Sequence, residues 1–171
     1  MNLHVSSGNT KLGNIFNLNL PPVISCKKGV PCAKEHKCYA LKAFRQYPNV
    51  RTAWNENLNL YKEDPDDYFN QLKNFLFRRR NKDIRFRYHS SGDILDQNYF
   101  EKMKEIAGIF PTIKFLAFTK NDNIDFSGEL PENLIIRFSY WPNYDNHSEL
   151  THFAWLIIFF NQGKYIKVFN K

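Results

Sequence analysis

The stretch that decides the fold reads Ile84-Arg85-Phe86-Arg87-Tyr88-His89-Ser90-Ser91-Gly92-Asp93-Ile94-Leu95-Asp96. Its first half alternates. Ile84, Phe86 and Tyr88 are apolar or aromatic and Arg85 and Arg87 are charged, the period of a strand with one buried face. Ser90 to Asp93 is turn chemistry. Asp96 is a helix cap, and behind it Phe100, Met103, Ala107 and Phe110 recur at helical spacing until Pro111 stops the helix. Strand, short polar turn and capped helix form the repeating unit of parallel sheets.

Working outward, the same alternation of elements recurs. Ile15 to Leu20 reads as a first strand, closed by Pro21 and Pro22. Leu41, Phe44 and Tyr47, then Val50, Trp54, Leu58 and Tyr61, keep helical spacing. Asp64-Pro65 starts a further helix with a capping side chain and Pro at its first position, and Tyr68, Phe69, Leu72, Phe75 and Leu76 make its apolar face. Ile113 to Thr119 and Leu134 to Tyr140 read as later strands. The expected fold is α/β: a partial (β/α) barrel or an open, mostly parallel sheet with helices. Four or five strands are too few for a closed eight-stranded barrel. Trp155 to Phe160 and Tyr165 to Phe169, joined by Asn161-Gln162-Gly163-Lys164, read as a C-terminal β-hairpin.

With 171 residues, 43% of them hydrophobic, the chain is sized for a single domain over residues 1–171. Met1 to Gly13 has no apolar core of a signal peptide. The longest apolar run, Phe153 to Phe160, is far short of the roughly 20 residues of a membrane span. The expectation is a cytoplasmic protein with no membrane partner. Its net charge of +7 allows anionic partners without choosing among them.

All three cysteines fall in one loop after the first strand, Cys26-Lys27-Lys28-Gly29-Val30-Pro31-Cys32-Ala33-Lys34-Glu35-His36-Lys37-Cys38. An odd, clustered set points to metal or redox chemistry rather than disulfides. Gly29 and Pro31 let so short a loop turn its sulfurs toward one centre, and the four lysines are expected to favour thiolate. Three readings stay open at this point. One is an iron–sulfur cluster with three cysteine ligands and one open iron. Another is zinc, with His36 or another histidine as fourth ligand. The last is three unligated thiols.

Ser90, Ser91, Gly92 and Asp93 occupy the turn after a parallel strand, where ligands of α/β sheets gather. The serines can donate hydrogen bonds, Gly92 allows close backbone approach, and Asp93 can meet an ammonium group. An ordinary strand-to-helix turn uses the same residues. Thr119 and Lys120 end the next strand on the same expected edge.

Ser7-Gly8-Asn9-Thr10-Lys11-Leu12-Gly13, the cysteine loop ending Cys38-Tyr39-Ala40, and His89-Ser90-Ser91-Gly92-Asp93 together resemble the phage gene product 88 family. The resemblance runs from about Ser6 to about Tyr140. That family is in turn similar to radical S-adenosylmethionine enzymes. The resemblance implies that Cys26, Cys32 and Cys38 ligate a [4Fe-4S] cluster. It also implies that S-adenosylmethionine binds beside it, with Asp93 facing its amine in a Ser91-Gly92-Asp93 counterpart of that superfamily's Gly-Gly-Glu. Asn9 and Lys11 are candidates to line the pocket near the cluster, or else to cap and solvate the chain's entry, and a phage origin would put the protein in the host cytoplasm.

Arg78, Arg79 and Arg80 close the Asp64-Pro65 helix, where cations complement the helix dipole. Arg85 and Arg87 follow on the next strand. Solvated charge explains this run; a phosphate-contacting face is the alternative, giving a non-catalytic metal module that binds nucleic acid. Tyr88, Tyr140 and Trp141 are its candidate base-stacking partners. His147 and His152 flank Glu149 as a weaker metal-site candidate.

Overall fold

The computed structural model describes residues 1–8, 15–34, 37–140 and 156–157. Along the chain come β1 (Val5–Ser7), β2 (Ile15–Leu18), α1 (Pro31–Lys34), α2 (Ala40–Gln46), α3 (Pro48–Glu63) and α4 (Pro65–Phe77). They are followed by β3 (Arg85–Tyr88), α5 (Gln97–Ile109), β4 (Lys114–Thr119), β5 (Leu134–Tyr140) and β6 (Leu156–Ile157). The strands lie side by side in that same order. β1 is antiparallel to β2, and every later neighbour pair is parallel. The fold is therefore an open, mostly parallel α/β sheet. Its unreversed strand order is the winding of a (β/α) barrel and not that of a doubly wound sheet.

Helix starts follow the local chemistry. The Asp64 side chain accepts from the Asp67 N–H at 2.9 Å, with Pro65 at the first helical position. Asp96 caps α5 by accepting from the Tyr99 N–H at 2.8 Å, and also accepts from the Tyr61 hydroxyl at 2.8 Å.

Register settles which way each strand faces. Phe16, Phe86 and Phe115 align, as do Leu18, Tyr88, Ala117 and Ile136. These residues join one core with Tyr68, Phe69 and Leu72 of α4 and Tyr99, Phe100, Met103 and Ile106 of α5. A sheet that adds parallel strands in one direction, with crossovers of one hand, collects its helices on one face. The opposite face carries the alternate residues: Asn17, Arg87, Leu116 and Ile135 in one row, Phe118 and Arg137 in the next.

In the C-terminal piece, β6 pairs in parallel with β5 through Ser139–Leu156 and Tyr140–Ile157. The second strand expected over Tyr165 to Phe169, and its turn at 161–164, lie outside the described residues. So do Asn9, Lys11, Glu35, His36, Trp141, His147, Glu149 and His152. Among the described residues, no helix is long and apolar enough to cross a membrane.

Candidate functional site at the carboxyl edge of the sheet

Two loops leave adjacent parallel strands at their carboxyl ends and are laced together. Beyond β2, the Asn19 side-chain oxygen accepts from the Ser90 N–H at 2.9 Å, the Ser90 hydroxyl at 2.7 Å and the Ser91 N–H at 3.3 Å. Leu20 and Ser91 exchange two further bonds. The Leu20 N–H donates to the Ser91 carbonyl at 2.9 Å, and the Ser91 hydroxyl donates to the Leu20 carbonyl at 2.9 Å. The Tyr39 hydroxyl, just past the last cysteine, donates to the Ser90 carbonyl. Gly92, at φ 88°, sits where a Cβ would come within 2.6 Å of both Leu20 Cβ and Ser25 Oγ. Only glycine fits this crossing without displacing the loop that leads into Cys26.

Asp93 holds the third strand end to the other two. It is 4% exposed. One carboxylate oxygen accepts from the Thr119 hydroxyl at 2.6 Å and the Ile94 N–H at 2.8 Å; the other accepts from the Lys120 N–H at 2.9 Å. Burial raises its pKa, and these bonds oppose the rise. Asn121 extends the network by donating to the Ile94 carbonyl at 2.8 Å.

The cysteine loop lies over this edge. Cys26, Cys32 and Cys38 are free thiols, each partly buried. Cys26 lines a cavity of about 330 Å³ together with Lys27, Leu95 and Asn121, beside the end of β4. Cys38 lines a cleft of about 650 Å³ with Lys42 and Arg45 of α2. The Cys26 thiol is pushed up to about 12, chiefly by burial, then by the negative charge of Asp93 and by the other two cysteines. Burial also raises Cys32, against the pull of Lys120. The expectation that the lysines favour thiolate is thus reversed for these two residues. Desolvation outweighs the lysine charges, and Lys27 is ion-paired with Asp122.

Cys26, Cys32, Cys38, Ser90, Ser91, Gly92, Asp93 and Thr119 therefore meet at one edge. Among the described residues, no group of three His, Cys, Asp or Glu side chains is arranged to hold a metal ion. The arginines fall into two groups. Arg79 lies 3.7 Å from the Phe75 ring centroid and donates to the Phe75 carbonyl at 3.0 Å. Arg80 lies 3.7 Å from the Phe77 ring centroid and donates to the Phe77 carbonyl at 2.7 Å. Both finish the end of α4, beside Arg78, its C-cap residue. Arg85 and Arg87 alternate with the core residues Phe86 and Tyr88 and so lie on the sheet face opposite that core.

Sequence reasoning missed the asparagines. Asn57, fully buried in α3, donates to the Asn19 and His4 carbonyls at 2.9 Å each and accepts from the His4 N–H at 2.8 Å. It thereby braces both β1 and the Asn19 hub. The available signal was an amide on the apolar face that carries Trp54, Leu58 and Tyr61. His89, part of the turn motif, carried no role in the sequence reading. It is 3% exposed, at φ 57°, with both ring nitrogens lacking a partner among the described residues.

These features define a class: an open, singly wound α/β sheet carrying a three-cysteine loop on its carboxyl edge. The chain belongs to the gene product 88 family, whose model matches residues 3–156. No curated protein and no solved structure gives a significant match.

Proposed function

We propose that the chain holds an iron–sulfur cluster at the carboxyl edge of its sheet, with Cys26, Cys32 and Cys38 as ligands. One observation carries this reading. The only three cysteines of the chain lie over one strand-end site, close enough that Cys26 feels the charge of Cys32 and Cys38, and Cys32 that of Cys38. Three sulfurs are a donor set suited to a soft metal centre. Ligation requires the loop to draw in further. Among the described residues, Gly29, at φ 86°, has only the flexible end of Lys34 beside its would-be Cβ, which leaves the loop room to do so. Cys26 and Cys32 are held as thiols, so loading must expel their protons and strengthens as pH rises.

A cluster with three protein thiolates supplies an open iron position for a small-molecule ligand. The wider resemblance suggests S-adenosylmethionine as that ligand, making the protein a small radical-enzyme relative. Asp93 is already engaged by Thr119, Ile94 and Lys120, so Ser91-Gly92-Asp93 serves first to hold the edge together. A reducing host cytoplasm, where thiols stay free for metal, is the compartment this reading needs.

The test is anaerobic purification of wild type and Cys32→Ser, with iron, sulfide and zinc analysis. Iron with matching sulfide in wild type, lost in the variant, is expected. Zinc in their place replaces the cluster with a zinc site, and a metal-free wild type after reconstitution overturns the proposal. Equilibrium binding of S-adenosylmethionine to the reconstituted protein tests the second ligand.

A further inference from the structure

The face of the sheet opposite the helices has its own chemistry. Asn17, Arg87 and Leu116 align across three strands, and Phe118 pairs with Arg137 one step further on. Arg87 and Arg137 therefore flank β4 from either side. Neighbouring strands are about 4.8 Å apart, so the two backbones stand roughly 10 Å from each other. That separation lets two extended guanidiniums converge on one group above the Phe118 ring. Arg87 already leans there, its guanidinium carbon 5.1 Å from the ring centroid.

These cations are not neutralised within the described structure. Among the described residues, neither Arg87 nor Arg137 has a carboxylate at ion-pairing distance. Among the described residues, Arg137 makes a long bond of 3.3 Å to the Ile136 carbonyl. Among the described residues, Arg87 Nε is buried without a partner, and so is the side-chain oxygen of Asn17, a residue only 7% exposed. A buried acceptor beside a buried guanidinium N–H, neither with a partner among the described residues, is costly unless something fills the site.

We infer that this face binds a small oxyanion, a carboxylate or phosphate, whose apolar body lies on Phe118. Arg87 and Arg137 grip the oxyanion, the geometry in which arginine outperforms lysine. Asn17 accepts a hydrogen bond from a hydroxyl or amine of the same molecule. Tyr39 links the site to the cysteine loop: its hydroxyl reaches Arg87, and Cys38 and Cys32 lie within electrostatic range of it. The site needs no metal and stands apart from the cluster reading.

The test uses metal-free protein and ligand-detected NMR titrations with phenyl phosphate, phenyllactate and 3-phenylpropionate. Wild type is expected to bind phenyl phosphate and phenyllactate with millimolar or tighter Kd, and phenyllactate more tightly than 3-phenylpropionate, which lacks the hydroxyl. Arg137→Gln weakens phenyl phosphate about tenfold or more, Arg137→Lys recovers part of the loss, and Arg85→Gln, at the exposed amino end of β3, leaves binding unchanged. Circular dichroism melts confirm that each variant is folded. Absence of binding to wild type, or equal Kd in wild type, Arg87→Gln and Arg137→Gln, overturns the inference. Cys32→Ser is expected to bind the probes normally, so failure of the cluster and failure of the anion site give different results.

Discussion

Gly92→Ala probes the contact on which the site depends. The substitution incurs two penalties. At φ 88° an alanine is in left-handed backbone, which costs about 1–2 kcal/mol. Its Cβ would also lie 2.6 Å from Leu20 Cβ and Ser25 Oγ. Leu20 Cβ is fixed to the backbone, so the two loops must separate, an overpacking cost of about 1–3 kcal/mol. The sum, about 3 kcal/mol, lowers Tm by roughly 6–12 °C for a chain of this size. Gly128→Ala is the internal control. Gly128 has φ 91° but none of the described residues within 4 Å of its would-be Cβ, so it incurs only the backbone penalty, roughly 2–8 °C. Thermal melts followed by far-ultraviolet circular dichroism measure both. Equal Tm losses in the two variants would refute the close crossing of the serine-glycine turn with the cysteine loop.

Other consequences are independent of that contact. Burial holds His89 neutral, with its pKa lowered to about 3, whereas in the unfolded chain it takes up a proton near pH 6.5. The unfolded state thus binds more protons between those values, so stability is lost as pH falls through that window, by at most about 5 kcal/mol. His89→Asn keeps a residue tolerant of positive φ and is expected to flatten this limb; urea midpoints that fall equally steeply in both proteins would sink the assignment. With Cys26 pushed up to about 12, its thiolate fraction at neutral pH is roughly a thousandfold below that of an ordinary thiol. In metal-free protein, Cys26 is expected to react with iodoacetamide far more slowly than a small thiol, as read by peptide mass mapping; rapid modification would contradict its burial. Tyr68→Phe removes the 2.8 Å bond between the buried Tyr68 and Tyr99 hydroxyls and costs about 1–3 kcal/mol by stranding Tyr99. Adding Tyr99→Phe should restore part of that loss, and strictly additive costs in the double variant would argue against the bond.

Much of this architecture was written locally. Alternation in Ile84 to Tyr88, the Asp96 cap and the Asp64-Pro65 start each depend on neighbours a few residues away, and each appears where its chemistry put it. β1 escaped notice because Val5-Ser6-Ser7 is short, polar and half exposed, with nothing periodic to read. The role of Asp93 was hidden for another reason. Its partners Thr119 and Lys120 lie more than twenty residues away, and only the parallel register of β3 and β4 brings them within bonding distance. Thiol acidity was misjudged on similar grounds: lysine charges are visible in the sequence, but the desolvation that outweighs them exists only after the loop has folded over the sheet.

The uninterrupted strand order has a consequence for synthesis. As the chain leaves the ribosome, each new strand finds its partner already at the growing rim, and no strand has to be threaded between two that have paired. By the time β3 docks on β2, all three sulfur-bearing residues and the turn that clasps them have been translated. The cysteine loop can therefore take shape on a nascent half-sheet, before β4 and β5 emerge.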